Sequence, residues 1–152
     1  MPPASSCSFR AASEADLPFL VALRVATMTP HLERQGLSID DAEHRRRAGF
    51  RLDAAAIVEC DGQAVGVIKV LQDGTTWTIE QFQVAPPHQG RGLGTTVLRA
   101  VIADARASGA LLRLSVLKQN PAARLYARLG FRTLAESANS YKMTFIDTMD
   151  DA

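Results

Sequence analysis

The sequence predicts an α/β fold of the α+β kind, in which a mixed central sheet of about six to seven strands carries helices on both faces. Two observations support this class. Between residues 54 and 84, three strand-like runs are separated by Asp61-Gly62 and Asp73-Gly74, which favour tight hairpin turns. After residue 90, helix-like and strand-like runs alternate, as in a βαβ crossover. A meander followed by such a crossover gives a sheet with both antiparallel and parallel neighbours.

The first third of the chain predicts one strand and two helices. Residues 8–12 form the strand, and Ser13-Glu14-Ala15-Asp16 resembles a capping box with Asp in place of Glu. Helical spacing of apolar residues then extends to about Thr27, and Thr29-Pro30 is expected to end that helix. A second helix is predicted over residues 38–52.

The remaining elements follow from the same patterns. We predict strands at residues 54–60, 64–71, 77–84, 111–117, 131–136 and 141–146, and helices at 95–108 and 121–129. Asn120-Pro121 supports the last helix because it places a capping residue before Pro at the first helical position. The complete order is β-α-α-β-β-β-α-β-α-β-β.

Strand 77–84 has an irregular apolar pattern. Trp77 and Ile79 share one face whereas Phe82 and Val84 share the other, so the apolar phase slips by one residue. A β-bulge produces such a slip and would leave backbone groups available to a ligand. A strand that is buried on both faces is the alternative, and the sequence leaves both open.

The composition is that of a soluble globular protein. The 152 residues, predicted to form a single domain with residues 1–6 as a frayed leader, are 47% apolar and 22% charged, with a formal net charge of +1. This charge gives no reason to expect a nucleic-acid or membrane partner. Apolar runs are too short to span a bilayer and Met1 to Phe9 lacks the pattern of a secretory signal, so a cytoplasmic protein is expected.

Cysteine and histidine usage gives two further expectations. Cys7 and Cys60 form no CxxC motif and indicate free thiols in a reducing compartment rather than a disulfide. His31, His44 and His88 show no metal-ligand spacing, so no metal site is expected.

A glycine-rich segment, Gln89-Gly90-Arg91-Gly92-Leu93-Gly94-Thr95, lies between a predicted strand and a predicted helix. Glycines at the start of a helix expose backbone N–H groups at the positive end of the helix dipole, an arrangement that suits a pyrophosphate. A Walker A loop requires a Lys after the last glycine, and a dinucleotide-binding fingerprint requires a different glycine spacing and a later acidic residue. The segment has neither pattern.

The hexamer from Gln89 to Gly94 resembles the Q/R-x-x-G-x-G/A motif of the GNAT family, the Gcn5-related N-acetyltransferases. A second segment, residues 117–131, resembles the other signature of this family, with Asn120, Tyr126 and Gly130-Phe131 at matching positions. The two segments occur in the family's order, and the resemblance covers about residues 54–145. It implies a GNAT fold and an acyl-CoA-dependent N-acetyltransferase.

The resemblance implies that the glycine turn binds the pyrophosphate of acetyl-CoA, the acyl donor, through backbone amides. The implied binding residues are Phe82, Gln83, Val84, Gln89, Gly90, Arg91, Gly92, Leu93, Gly94, Thr95, Asn120 and Ala123. Among them, the strand residues Gln83 and Val84 are expected to pair with the pantetheine arm. Arg91 is either a charge-assisted contact or a solvated cation.

Tyr126 matches the position of the family's general acid, which protonates the leaving thiolate of CoA. A phenol, with a reference pKa of about 10, stays protonated at neutral pH and can give a proton to a thiolate. A core tyrosine beside Leu125 and Leu129 is the alternative. Asn120 is a contact to the pantetheine, a helix cap, or both.

The resemblance also suggests a general base, because an amine must lose a proton before it attacks. Glu80 lies on the strand that carries a catalytic carboxylate in many family members, and its apolar flanks predict partial burial of its side chain. A glutamate that faces water is the alternative. A backbone N–H near Phe82 would meet the oxyanion of the tetrahedral intermediate.

The implied acceptor is a primary amine of a small molecule or peptide. The predicted acceptor side comprises the loop over residues 31–38, with His31, Glu33 and Arg34, and the start of the last strand at Tyr141. A non-catalytic acyl-CoA-binding or regulatory module on the same fold is the main alternative. A nucleic-acid partner is disfavoured by the neutral charge, and a homodimer is compatible with the family.

Overall fold

The computed structural model describes residues 7–34 and 40–146, with the backbone alone for residues 29–34. Over these residues, seven β-strands and four α-helices follow one another in the order that the sequence predicts. The strands are β1 (Cys7–Ala11), β2 (Ala55–Cys60), β3 (Gln63–Asp73), β4 (Thr76–Val84), β5 (Leu111–Leu117), β6 (Phe131–Glu136) and β7 (Ser140–Phe145). The helices are α1 (Leu17–Arg34), α2 (Asp41–Gly49), α3 (Leu93–Ala107) and α4 (Ala122–Leu129). The predicted leader lies outside the described residues.

The strands form one mixed sheet in the order β1-β2-β3-β4-β5-β7-β6. β1 is antiparallel to β2, and β2 to β3, whereas β4 and β5 are parallel. β7 lies antiparallel between β5 and β6. The predicted fold class and strand number are therefore confirmed. The place of β7 could not be read from chain order, which would have put β6 next to β5.

The described residues fall into two compact units. The first runs to Val70 and also includes Gln81–Arg91, and the second comprises Leu71–Glu80 and the residues from Gly92 onward. In the first unit, α1 packs against α2. Its core consists of apolar side chains from these two helices and from β2 and β3, namely Leu20, Leu23, Ala48, Ala55, Ile57 and Val67.

Local hydrogen bonds hold the two helices of the first unit in place. The predicted capping box is present, with the Ser13 amide donating to Asp16 Oδ2 at 2.8 Å. Asp40 Oδ1 accepts from the Glu43 amide at the start of α2. At the other end of α2, the buried Lys69 ammonium of β3 donates to the carbonyl oxygens of Arg47, Ala48 and Phe50. A cation at a helix C-terminus satisfies carbonyls that have no partner within the helix.

In the second unit, α3 packs against β5 and α4 against β5 and β6. The predicted apolar stripe of α3 is buried, and it consists of Val97, Leu98, Val101, Ile102 and Ala105. Buried residues of β5 alternate with exposed ones, so Leu112, Leu114 and Val116 supply the apolar face of that strand. This apolar interior supports α3, β5 and α4, and the segment 117–131 that the sequence analysis identified includes all of α4.

The prediction that the first helix ends at Thr29-Pro30 is wrong. α1 continues through Pro30 to Arg34, so residues that were expected in a loop are helical. Proline within a helix removes one backbone hydrogen bond and costs about 3 kcal/mol. The packing of Leu20 and Leu23 in the core anchors a helix of 18 residues, and this outweighs the local preference of one proline.

The prediction of free thiols is also wrong, because Cys7 and Cys60 form a disulfide. The two residues face each other in the antiparallel ladder of β1 and β2, with their Cα atoms 4.0 Å apart. The spacing of the two cysteines along the chain does not predict the disulfide, because the register of β1 against β2 brings the two residues together. With both cysteines in a disulfide, cysteine usage gives no reason to expect a reducing compartment.

Candidate functional site

The glycine-rich turn leads directly into α3. Gly92 has φ 77° and ψ 4°, the left-handed conformation that side chains with a Cβ disfavour, and a Cβ at this position would meet nothing within 4 Å. The first hydrogen bond of α3 runs from the Thr96 amide to the Gly92 carbonyl, at 3.1 Å. The amides of Leu93, Gly94 and Thr95 precede it and so have no acceptor within the helix. This arrangement suits an anion.

The side chain of Gln89 has a structural contact. Its Nε2 donates to the carbonyl oxygen of Val84 at 2.8 Å and so links the end of β4 to the turn. The Val84 carbonyl therefore already accepts one hydrogen bond. The sequence identified Gln89 as part of the motif, but it did not predict the contact of the Gln89 side chain with Val84.

The segment after β4 is tied to β3 by a hydrogen bond of 2.8 Å from the Ala85 amide to the Val65 carbonyl. Along β4, buried residues alternate with less buried ones from Thr76 to Gln83. The β-bulge that the apolar pattern suggests stays a prediction.

Gly66 allows β4 to approach β3 closely. A Cβ at this position would lie 2.6 Å from the carbonyl oxygen of Gln83 and 3.5 Å from the Cα of Val84. Only a residue without a side chain therefore fits beside this part of β4. The close approach fixes the strand end on which Phe82, Gln83 and Val84 were predicted to meet the pantetheine arm.

The side chains of β4 differ from the prediction in one respect. Glu80 is exposed, so the expectation of a partly buried carboxyl is wrong. The buried neighbours are instead Gln81 and Gln83, whose amides are joined by a hydrogen bond of 2.8 Å from Gln81 Nε2 to Gln83 Oε1. Apolar residues flank Glu80 along the chain, but successive side chains of a strand point to opposite faces.

Asn120 is a helix cap. Its Oδ1 accepts from the Ala122 amide at 2.9 Å, and its backbone carbonyl accepts from the Ala123 amide at 3.1 Å. These bonds fix the turn between β5 and α4. The capping role that the sequence predicted is therefore present. The predicted contact with the pantetheine arm would be made by the side-chain nitrogen of Asn120.

Tyr126 lies one turn into α4 and is only 5% exposed. Its ring packs edge-on against Phe131, with centroids 5.6 Å apart, and Phe131 packs in the same way against Phe145. Burial raises the pKa of Tyr126 well above its ordinary value, because desolvation disfavours the phenolate. The side chain is thus a core residue and a phenol that stays protonated.

Tyr141 belongs to a small group of polar contacts at the ends of β5, β6 and β7. The Lys118 ammonium lies 5.4 Å from the centroid of the Tyr141 ring and 3.4 Å from Glu136 Oε2. Tyr141 was predicted from the sequence, whereas Lys118 was not. The one sequence feature that could have indicated Lys118 is its position directly after a predicted strand.

The remaining predicted acceptor residues are His31, Glu33 and Arg34. They lie on the last turns of α1 rather than in a loop, and their side chains are outside the described residues. In the part of the chain that the structure describes, no group of three or more His, Cys, Asp or Glu side chains could hold a metal ion. None of the described helices is long and apolar enough to cross a bilayer.

This chain is similar to one family model and to several solved structures. The model of the acetyltransferase (GNAT) family matches residues 19–131 of this chain. PaiA N-acetyltransferase from Thermoplasma acidophilum, solved in complex with coenzyme A, is similar with a TM-score of 0.75 at 17% identity, over 93% of this chain and 99% of that chain. Ard1 from Thermoplasma volcanium has a TM-score of 0.71 at 19% identity, over 93% and 99% of the two chains.

A third similar structure is part of a larger protein. N-acetylglutamate synthase from Neisseria gonorrhoeae, in complex with coenzyme A and N-acetylglutamate, has a TM-score of 0.67 at 22% identity. The match covers 93% of this chain but 35% of that chain. At these identities the structural likeness establishes the fold.

Proposed function

Because this chain belongs to the acetyltransferase (GNAT) family, we propose that it is an N-acetyltransferase, which moves the acetyl group of acetyl-CoA to a primary amine of a small molecule or peptide. The observation that carries the proposal is the start of α3. There the left-handed Gly92 precedes three amides that have no acceptor within the helix, in the position where the family motif binds a pyrophosphate.

The same motif assigns the remaining contacts to the acyl donor. Backbone amides of the turn, from Gln89 to Thr95, would bind the pyrophosphate, with Arg91 as an exposed cation beside it. The amide of Val84 and the backbone of Gln83 would pair with the pantetheine arm. Asn120 and Ala123 would contact it from the start of α4.

The reaction proceeds in this proposal by direct attack. Glu80, directly or through a water molecule, accepts a proton from the ammonium form of the acceptor. The amine nitrogen then attacks the thioester carbon, and the backbone amide near Phe82 stabilises the oxyanion that forms. As the tetrahedral intermediate collapses, the carbon–sulfur bond breaks, the thiolate takes the proton of the Tyr126 phenol, and the nitrogen of the new amide releases its extra proton to water. The products are the N-acetylated amine and CoA thiol, and the phenolate regains a proton from solvent.

The exposure of Glu80 is compatible with this role. An exposed carboxylate can accept the proton of an amine that arrives from solvent and can pass it on to water. The burial of Tyr126 supports the complementary role, because the phenol is protonated when the thiolate forms.

Replacing Tyr126 with Phe tests the assigned acid. The ring contact with Phe131 is kept and the proton is lost, so the rate of thiol release should fall roughly 100-fold or more while acetyl-CoA still binds. A Tyr126→Phe enzyme with full activity would remove Tyr126 from the mechanism.

A further inference from the structure

The sheet of the second unit has one buried face and one exposed face. Along β5, buried residues alternate with exposed ones, and both α3 and α4 pack against this strand. Arg113 is one of the exposed residues, so it marks the face of β5 that is open to solvent. The neighbouring strands β7 and β6 continue this face, and their register shows which side chains lie on it.

The register places three cations on the exposed face. Arg113 of β5 is opposite Thr144 of β7, and Thr144 is opposite Arg132 of β6. Lys142 lies two residues before Thr144 on β7 and is opposite Ser115. Opposite residues of an antiparallel pair, and residues two apart on one strand, point to the same face. The open face, as we call it, is therefore formed by Leu111, Arg113, Ser115, Arg132, Lys142 and Thr144.

The three cations of the open face are close together. Adjacent strands are about 4.8 Å apart, so the Cα atoms of Arg113 and Arg132 are about 10 Å from each other across β7. Lys142 lies about 7 Å along β7 from Thr144, which is between the two arginines. All three cationic side chains are exposed. Such a cluster of one sign attracts a partner that carries the opposite charge.

Neighbouring carboxylates do not balance this charge within the described residues. Over residues 7–34 and 40–146, none of the three cations takes part in an ion pair. Arg113 donates from Nε to Thr78 Oγ1 at 3.2 Å, which leaves the terminal N–H groups of its guanidinium for a partner. Glu80 borders the open face on β4, because it lies two residues after Thr78, which is opposite Arg113 in the parallel register.

The formal net charge of +1 hides an uneven distribution of charge along the chain. Residues 92–146 contain eight lysines and arginines but two acidic residues, Asp104 and Glu136. Asp104 is on α3, and Glu136 pairs with Lys118 at 3.4 Å. The low net charge of the whole chain is therefore compatible with a strongly cationic surface on this segment.

The chemistry of the open face favours an acidic protein segment as its partner. Leu111, on the open face, and Leu134, at the register irregularity of β6, are 48% and 66% exposed. Apolar side chains beside arginines are typical of protein interfaces. The residues that form the open face include no aromatic side chain on which single-stranded nucleic acid could stack.

A second copy of this chain is a poorer partner for the open face. A two-fold interface joins a patch to itself, so it would bring cations against cations. An extended acidic segment suits the spacing instead, because carboxylates three residues apart on it are also about 10 Å apart, like Arg113 and Arg132.

We propose that the open face binds an extended acidic segment of another protein. Carboxylates of that segment pair with Arg113, Arg132 and Lys142, and its apolar side chains contact Leu111 and Leu134. Guanidinium groups suit this role because they form charge-assisted, often bidentate, hydrogen bonds with carboxylates. The inference does not depend on acetyl transfer, since none of the open-face residues takes part in the proposed reaction.

The test measures the binding of a labelled synthetic peptide to the full chain by fluorescence anisotropy. The probe has three aspartates, each three positions from the next, separated by valine and threonine, and its control has asparagine in place of aspartate. The wild type should bind the aspartate peptide saturably and the asparagine peptide roughly 10-fold more weakly or less. Binding should also weaken as the salt concentration rises from about 50 to 300 mM, because salt screens exposed charges.

Charge reversal identifies the surface that binds the peptide. Arg113→Glu, Arg132→Glu and Lys142→Glu should each weaken binding roughly 10-fold or more, because each variant sets a carboxylate against a carboxylate. Arg99→Glu is the matched control, since Arg99 is an exposed arginine on α3, and it should bind the peptide like the wild type. Thermal unfolding shows whether each variant is folded, and three separate variants keep the test decisive if one of them is not.

Several results would overturn the inference. One is a wild type that does not bind the aspartate peptide, and another is equal binding by Arg99→Glu and by all three open-face variants. Tighter binding of a single-stranded oligonucleotide than of the peptide, lost in the same variants, would indicate a nucleic-acid partner instead. A dimer in sedimentation that Arg132→Glu dissociates would indicate that a second copy of the chain covers the face.

Discussion

Tyr126 is a residue at which packing and the proposed chemistry depend on the same burial. The edge-on contact with Phe131 and the low exposure make it a core side chain, and the same burial keeps its phenol protonated. In the proposed reaction, the phenol is therefore in its protonated form when the thiolate leaves. The two interpretations that the sequence left open, core tyrosine and general acid, are therefore compatible.

Replacement of Glu80 by Gln tests the proposed base. The variant should lose roughly 100-fold or more in kcat/KM near neutral pH, since the amine must then lose its proton without help. Its deficit should shrink as pH rises, because the fraction of acceptor that is already neutral increases. A pH profile of kcat/KM from about 6 to 10 would measure both effects. Glu14→Gln, at an exposed position before α1, should have the wild-type profile. A Glu80→Gln profile that runs parallel to the wild-type profile would argue against Glu80 as the base.

His44 should make the stability of the protein depend on pH. Burial and the charge of Arg24 lower its pKa below the ordinary value of 6.5, so the unfolded state binds a proton more readily than the folded state. The free energy of unfolding should therefore be level above about pH 6.5 and fall as the pH drops below it. Urea unfolding between pH 5 and 8 would show this.

A matched variant separates His44 from other groups in that experiment. His44→Gln should flatten the pH dependence, and His88→Gln, in the turn after β4, should leave it as in the wild type. Asp16 does not interfere, because the Arg10 guanidinium lowers its pKa to about 2, and its effect on stability begins only below about pH 4. A wild-type unfolding free energy that stays constant from pH 8 to 5 would refute the assignment.

Single residues were predictable where a motif fixed their spacing. Asn120 and Tyr126 were identified from the second signature. Asn120 has the contact of a helix cap, and the ring contact of Tyr126 is that of a core tyrosine, whereas its role as an acid stays a prediction. Gln81 and Gln83 were not found as buried residues, because polar side chains in a strand usually face water. Their burial depends on the register of β4 against β3, which no local pattern specifies.

At the scale of elements, the turn before α3 carries the binding proposal. Gly92→Ala would place a Cβ in a left-handed conformation, which costs roughly 1–2 kcal/mol and would shift the amides that follow. The dissociation constant for CoA should rise about 5- to 30-fold by calorimetry. Gly109→Ala is the matched control, since Gly109 also has a positive φ with open space around it but lies at the other end of α3. Equal CoA affinity in the two variants would contradict the assignment of the turn.

Elements were predicted well where short-range signals dominated. The hairpin turns and the helix stop at Gly130 lie where the sequence placed them, and the strands β5 and β6 have the predicted bounds. The extension of α1 through Pro30 was missed because the packing of an entire helix outweighed one local signal. The position of β7 between β5 and β6 is a long-range pairing, which residue patterns within one strand do not encode.

At the scale of the whole molecule, the disulfide links β1 to β2 across a separation of 53 residues. Closing a loop of this length should stabilise the fold by at most about 4 kcal/mol through the entropy of the unfolded chain. Reduction with dithiothreitol should therefore lower the free energy of unfolding. Cys7→Ser and Cys60→Ser should lower it by similar amounts and should be insensitive to the reductant. If the protein is unfolded without a reductant and two reactive thiols are then detected, Cys7 and Cys60 do not form the disulfide.

The central claim is that this chain transfers an acetyl group from acetyl-CoA to an amine. The most direct measurement incubates the wild-type protein with acetyl-CoA labelled in its acetyl group and a panel of primary amines, with and without a carboxylate. Products are identified by mass spectrometry and free thiol is quantified in parallel. We expect labelled N-acetyl product in the same molar amount as released thiol. Binding of acetyl-CoA with no label in any amine would contradict it, and would instead indicate a non-catalytic acyl-CoA-binding module.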